Sequence, residues 1–204
     1  MCKIIVMANQ KGGVAKTSST RNLAYSLAEL GKKVLAVDFD PQTNLTISFG
    51  VAPAALQETA ASLMMKLVMD EALPEKESCI LNIGKVDLLP SKKTLTVAEV
   101  NLLIERKDDC LAKLLAPLRA DYDYILVDTG PSLGSLTINA FTAADEIIIP
   151  VDPELFALVG LKELTETISK IKQNLNPKVE IIGILFTKCS KRTTLYRQTS
   201  EQVR

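Results

Sequence analysis

The sequence contains no histidine and no tryptophan among its 204 residues, and aromatic residues make up only 4% of it. Without histidine, imidazole-based general acid–base chemistry is excluded, so proton handling falls to carboxylates, lysine or ordered water. The four cysteines are scattered, at Cys2, Cys79, Cys110 and Cys189. They form no Cys-x-x-Cys pair, which argues against both a zinc site and a disulfide scaffold. We therefore expect reduced thiols and a cytoplasmic protein.

Long apolar runs are also missing. No run approaches the roughly 18–20 residues that a transmembrane helix needs, so we expect no membrane partner. The first predicted strand begins at about Lys3, which leaves no room for a cleavable signal peptide. Apolar residues make up 47% of the chain and no low-complexity stretch occurs, so residues 1–204 are expected to fold as a single domain.

The most informative segment that is present is Asn9–Ser18, which reads NQKGGVAKTS. It lies between an apolar run at 4–7, typical of a strand, and a helical pattern at 20–30. A glycine-containing loop in this position, ending in Lys-Thr, can surround nucleotide phosphates with its backbone N–H groups. The residues predicted to bind the nucleotide are Lys11, Gly12, Gly13, Val14, Ala15, Lys16, Thr17 and Ser18.

Two side chains of this loop have separate predicted roles. Lys16 supplies a positive charge near the β- and γ-phosphates, and the Thr17 hydroxyl can ligate Mg²⁺. The general P-loop pattern Gly-x4-Gly-Lys-Ser/Thr is not fully met, because Gln10 and Ala15 occupy its glycine positions. An additional lysine, Lys11, opens the loop instead. The alternative, a glycine-rich loop without phosphate function, is disfavoured by the flanking strand and helix.

Apolar runs of strand length alternate with helical patterns along the whole chain. Strands are predicted at 33–38, 86–90, 124–128, 146–151 and 179–186, and helices at 56–70, 95–105, 109–119, 157–175 and 193–204. Strands rich in Ile, Val and Leu that alternate with helices indicate an α/β fold with a mostly parallel twisted sheet covered by helices on both faces. Ligands of such sheets bind at the carboxyl ends of the strands.

Acidic residues end two of these strands. Asp128 follows the apolar run at 124–127, which is the Walker B arrangement, so we predict that it faces Mg²⁺. Asp40, restrained by the following Pro41, is predicted to orient the attacking water. Asp38 is predicted to support Mg²⁺ or a loop lysine indirectly, and a turn-forming role is its alternative.

The segments that follow these acids are expected to form a switch. A backbone N–H at Gly130 could sense the γ-phosphate. When hydrolysis removes that phosphate, the segment would relax. The predicted switch residues are Asp40, Pro41, Gln42, Asp128 and Gly130.

These motifs together resemble the deviant Walker A ATPases of the ParA/MinD family, and more specifically the ParA/Soj partition ATPases. The resemblance runs through nearly the whole chain. It rests on NQKGG at 9–13, DFDPQ at 38–42, DTGPSLG at 128–134, PVDPE at 150–154, FAL at 156–158 with GL at 160–161, and RTTL at 192–195. The DPQ triplet at 40–42 favours the partition branch over the MinD branch.

The resemblance implies a P-loop NTPase that binds ATP and Mg²⁺ and forms a homodimer with two nucleotides between the subunits. Lys11 would then reach the partner's ATP and act in catalysis together with Lys16 and Asp40. It further implies nonspecific DNA binding by the ATP dimer, stimulation by a ParB-type partner, and association with the nucleoid. Of the basic residues Lys188, Lys191 and Arg192, only Arg192 also matches the family pattern; an ordinary solvated helix start is the alternative.

The sequence departs from the family at three points. Ala15 replaces a glycine, and its methyl group should fit if the backbone there is right-handed helical, although hydrolysis would be slower. Gly130 replaces a proline, which should loosen the switch. The family domain normally continues some tens of residues further, so its last part is expected to be missing here.

Two other function classes stay open. One is a nucleotide-gated scaffold with little turnover. The other is a P-loop enzyme like the bacterial tyrosine kinases, which is disfavoured because the four tyrosines are dispersed rather than clustered in a tail.

Overall fold

The computed structural model describes residues 1–154, 157–190 and 201. Within them the strands are β1 Lys3–Met7, β2 Val34–Phe39, β3 Leu81–Ile83, β4 Val86–Leu89, β5 Tyr124–Thr129, β6 Glu146–Val151 and β7 Glu180–Phe186. The α-helices are α1 Lys16–Glu29, α2 Asn44–Ser48, α3 Ala60–Val68, α4 Leu95–Ile104, α5 Cys110–Leu115, α6 Ser135–Ala143 and α7 Ala157–Asn174. None of these helices is long and apolar enough to span a bilayer.

The strands form one sheet in the order β3-β4-β2-β5-β1-β6-β7. The short β3 pairs antiparallel with β4 at one edge, and the other pairings are parallel. The chain leaves β1 toward β2, on one side of it, and later returns to β6 on the other side. The strand order therefore reverses beside β1, and the crevice at the carboxyl end of this strand is where such folds bind ligands.

Helices cover both faces of the sheet, and successive residues of its central strands are buried on opposite faces. Val6 belongs to the larger core cluster, which packs under helices α3 to α7. Ile5 belongs to the smaller cluster, which packs under α1 and α2. This arrangement explains why the central strands read as continuous apolar runs rather than alternating ones. The predicted α/β class with a mostly parallel sheet is confirmed.

The predicted elements agree with the structure except at three short ones and at several ends. The edge strand β3 and helices α2 and α6 were not predicted. The pattern at 56–70 becomes a helix only from Ala60, where Thr59 and Ser62 form a capping box. The pattern at 109–119 ends as an α-helix at Leu115, because Pro117 opens a 3₁₀ turn. The helix predicted at 193–204 falls outside the described residues, apart from residue 201.

Candidate nucleotide-binding site

The glycine-containing loop runs from the carboxyl end of β1 to the start of α1. Two of its residues have left-handed backbone conformations, Gly13 with φ 76° and Ala15 with φ 65°. The condition under which the Ala15 methyl group should fit, a right-handed helical backbone, is therefore not met. A residue with a Cβ atom costs roughly 1–2 kcal/mol in this conformation, whereas glycine adopts it freely. The loop thus keeps its shape at the expense of local strain, which is commonly found where a backbone is held for function.

Lys16 is folded back over this loop. Its side chain is 8% exposed, and its ammonium group donates hydrogen bonds to the carbonyl oxygens of Asn9, at 2.9 Å, and Lys11, at 3.1 Å. Burial lowers the pKa of Lys16, while the nearby carboxylates of Asp128 and Asp40 act in the opposite direction. The lysine thus carries a charge that is poorly solvated and is held at the mouth of the loop, where an anion would stabilise it.

Thr17 and Asp128 meet at the start of α1. The Thr17 hydroxyl donates a hydrogen bond of 2.6 Å to Oδ2 of Asp128, which is fully buried at the end of β5. Burial raises the pKa of Asp128 to about 8, its bond from Thr17 opposes this, and the neighbouring Asp38 and Asp40 raise it further. A hydroxyl and a carboxylate are the oxygen ligands that Mg²⁺ prefers, and the cation would favour the ionised form of Asp128. The residues present therefore fit the metal.

Asp38 makes hydrogen bonds to helix α2. It lies opposite Asp128 in the β2–β5 register and is also fully buried. Its Oδ2 accepts hydrogen bonds from the backbone N–H of Thr46, at 2.8 Å, and from the Thr46 hydroxyl, at 2.6 Å. Burial raises the pKa of Asp38 to about 6, and the Thr46 bonds oppose the rise. Asp38 thus anchors α2, and its indirect support of Mg²⁺ or of a loop lysine stays a prediction.

Asp40 faces a cavity of about 470 Å³ together with most of the loop. The lining residues are Gly12, Gly13, Ala15, Lys16, Thr17, Ser18, Asp40, Gln42, Asn44, Pro131 and Lys188. Asp40 Oδ1 accepts the backbone N–H of Gln42 at 2.9 Å, and the Asp40 carbonyl oxygen accepts the Ser91 hydroxyl at 3.1 Å. A larger cavity of about 550 Å³ lies elsewhere in the described part of the chain, but none of the loop residues or strand-ending acids of this site lines it.

The switch segment contacts Asp40 at Gly130. A Cβ atom added at Gly130 would lie 3.2 Å from Oδ1 of Asp40, which is tighter than ordinary contact. The glycine therefore allows the segment after β5 to pass directly against the predicted water-orienting carboxylate. Pro41, between Asp40 and Gln42, is partly buried on the same side of the molecule.

Lys11 does not join this cavity. Its ammonium group forms an ion pair of 2.5 Å with Glu154, in the segment after β6, and both side chains are about half exposed. The bond from Lys11 lowers the pKa of Glu154. The lysine that opens the loop therefore points outward in the single chain, held by an exposed pair of little strength.

Several residues at this site were not predicted to belong to it. Thr46 and Asn44 belong to the unpredicted helix α2, and no motif marks them. Lys188, one of the residues predicted to bind DNA, lines the cavity. Lys191 and Arg192, the other residues predicted to bind DNA, lie outside the part of the chain that the structure describes.

Comparison with known proteins identifies the family. A family model described as an AAA domain matches residues 2–181. The chromosome partitioning protein ParA of Myxococcus xanthus is 41% identical over 99% of this chain, which covers 70% of that protein. The chain belongs to the ParA family of ATPases. An uncharacterized protein of Mycobacterium tuberculosis is also 41% identical, and the chain spans only 63% of its length.

Solved structures agree with this family assignment. A Mycobacterium smegmatis protein, named cobyrinic acid a,c-diamide synthase and solved with bound ADP and magnesium, superimposes with a TM-score of 0.90. It is 36% identical, and the alignment covers 100% of this chain and 81% of that one. The fold seen here is therefore the P-loop fold of the ParA family.

Proposed function

We propose that the chain is a Mg²⁺-dependent ATPase that cycles between a monomer and an ATP-bound dimer and positions DNA with a ParB-type partner. The observation that carries the nucleotide part is the Thr17–Asp128 pair at 2.6 Å beside the buried ammonium of Lys16. A phosphate group would pair with the Lys16 ammonium, and a divalent cation would bind the oxygens of Thr17 and Asp128. The magnesium and ADP in the mycobacterial neighbour support the same ligands.

The residues of the site would have separate roles. Backbone N–H groups of the loop and the Lys16 ammonium would bind the phosphates, and Thr17 and Asp128 would hold Mg²⁺. The cation would neutralise charge on the phosphate oxygens. Asp40 would orient the water that attacks the γ-phosphate, and Gly130 would carry the change at the phosphate to the segment after β5.

The dimer part of the proposal gives Lys11 its role. A lysine that points outward from its own loop can reach a nucleotide held by a second chain, and a cation supplied in this way is worth roughly 10³–10⁵ in rate. Glu154 would have to release Lys11 for this step. An exposed ion pair of this kind contributes only about 0–1 kcal/mol, so its loss is a small barrier to assembly.

Sizing the protein tests this cycle directly. With Mg²⁺ and ATP or a non-hydrolysable analogue, we expect the 22.2 kDa chain to elute at twice that mass, and at the monomer mass with ADP or without nucleotide. Sedimentation or light scattering would measure the change. A chain that binds ATP yet stays monomeric at every concentration would remove the dimer from the proposal and leave a nucleotide-binding monomer.

The DNA part predicts a specific effect at Arg192. Replacing Arg192 by alanine should weaken binding to nonspecific DNA while leaving ATP binding intact, because one phosphate contact is lost. The slope of log K against log salt should then fall by about 0.9. Titrating both proteins with a labelled duplex at several salt concentrations measures it. An unchanged slope would remove Arg192 from the DNA site.

A second candidate, a nucleotide-gated scaffold with little turnover, is favoured by the strained conformation of Ala15. It predicts ATP binding and dimerisation without steady-state phosphate release, even with DNA and a partner present. A synthase role, which the name of the mycobacterial neighbour suggests, is less supported, because relatives at similar identity are named ParA and Soj.

A further inference from the structure

Lys188 is the second residue after β7 and is far along the chain from the glycine-containing loop, yet it lines the cavity beside that loop. Its ammonium nitrogen is 3.8 Å from the position that a Cβ atom on Gly13 would occupy. Gly13 is one of the residues whose backbone forms the loop. A positive charge is therefore placed beside the loop on a residue outside the loop motif.

The position of Lys188 is fixed by contacts of its neighbour. The Thr187 hydroxyl donates a hydrogen bond of 3.0 Å to the carbonyl oxygen of Val14, which is buried in the middle of the loop. The Thr187 backbone N–H donates to the carbonyl oxygen of Val151, at 2.9 Å, at the end of β6. The turn after β7 is thus tied both to the loop and to the sheet.

The backbone of Lys188 itself is left-handed, with φ 50°. This conformation is uncommon for a residue with a side chain and costs roughly 1–2 kcal/mol. It turns the chain sharply at the point where it passes the loop. The strain, together with the two Thr187 bonds, indicates that the direction of this side chain is built into the fold.

Two acidic residues, Glu154 and Asp40, lie near Lys188. Glu154 is close enough for the charge of Lys188 to contribute to the lowering of its pKa, but the main cause of that lowering is the bond from Lys11. Asp40 faces the same cavity. Two lysines, Lys16 and Lys188, and one carboxylate, that of Asp40, line the cavity, while the carboxylate of Asp128 lies behind Thr17 and is the proposed ligand of Mg²⁺. The charge of the lining therefore suits a polyanion.

We propose that Lys188 is a phosphate-binding residue of this site: its ammonium group contacts the nucleotide phosphates held by the loop of its own chain, rather than DNA. This inference rests on the proposed ATP binding and adds a residue to it. The Lys188 ammonium lies beside Gly13, a residue of the loop proposed to surround the phosphates. The binding affinities of both ADP and ATP should therefore depend on Lys188. Hydrogen bonds to charged groups predict a loss of about tenfold in affinity when the ammonium is removed.

The test measures Mg²⁺-dependent binding of ADP and ATP by calorimetry for the parent and four variants. Lys188→Met removes the charge and keeps the length and backbone preference of the side chain. Lys188→Arg restores the charge. Lys178→Met, an exposed lysine before β7 and outside the cavity, is the matched control, and Lys16→Ala is the control for loop function. The salt slope of DNA binding is measured alongside.

We expect Lys188→Met to lose about tenfold in affinity for both nucleotides, Lys188→Arg to recover most of it, and Lys178→Met to bind like the parent. If Lys188→Met binds both nucleotides like the parent while Lys16→Ala does not bind, this inference is wrong and the proposed function stands. A change confined to the DNA salt slope would overturn it in the same way. A parent chain that binds neither nucleotide would overturn both.

Discussion

Replacing Lys16 by alanine is expected to abolish detectable nucleotide binding. The ammonium group is buried and donates to two carbonyl oxygens of the loop, so its position is fixed before any ligand arrives. Each hydrogen bond from such a charged group contributes about 1.5–3 kcal/mol, and two phosphate contacts therefore predict a loss of about 10²- to 10⁴-fold. Calorimetric titration with Mg²⁺ and ATP, up to millimolar nucleotide, measures it.

The control for this variant must separate lost binding from lost folding. Lys162→Ala removes an exposed lysine of α7 and should bind ATP like the parent. Melting temperatures without nucleotide should be similar for parent, control and Lys16→Ala, because removing a buried charge also removes its desolvation cost. A Lys16→Ala protein that is folded and binds ATP within tenfold of the parent would contradict the assignment of this loop to phosphate binding.

The phosphate loop and Asp128 could be predicted because each combines a local pattern with a strand-ending position. Continuous apolar runs identify buried parallel strands, and such strands bring their carboxyl ends to one edge of the sheet. This rule places the loop and Asp128 at the same edge of the sheet. Their contact at Thr17 depends in addition on the pairing of β5 with β1.

The environment of Asp38 could not be predicted in the same way. Its partner Thr46 lies on α2, a helix of only five residues that carries no clear hydrophobic period. The position of Lys188 depends on Thr187 meeting Val14, 173 residues apart in sequence. No local pattern encodes such a contact, because it depends on how β7 adds to the edge of the sheet beside β6.

The Ala15 backbone shows a different limit of sequence reasoning. Alanine is a good helix former, and local preference alone favours a right-handed conformation at the start of α1. The structure instead has a left-handed backbone at Ala15, the residue immediately before α1. Tertiary demands at a functional loop therefore override the local preference of the residue.

Replacing Asp40 by alanine is expected to leave ATP binding and the dimer intact while hydrolysis falls by about 10²–10⁴-fold. Asp40 lines the cavity beside Thr17 and Lys16 and contacts the Gly130 segment, but it makes no hydrogen bond to Thr17 or Asp128 among the described residues. Its loss should thus spare the metal and remove the group that orients water. Steady-state phosphate release, set against ATP affinity and sizing, separates these effects.

A second variant distinguishes chemistry from local structure at this position. Asp40→Asn keeps an oxygen that can accept the Gln42 N–H, which the carboxylate accepts at 2.9 Å, but it loses the negative charge. If the carboxylate orients the attacking water, Asp40→Asn should hydrolyse ATP as slowly as Asp40→Ala. If Asp40 only shapes the turn at 40–43, Asp40→Asn should work like the parent. Normal turnover in both variants would move the water-orienting role to another group lining the cavity.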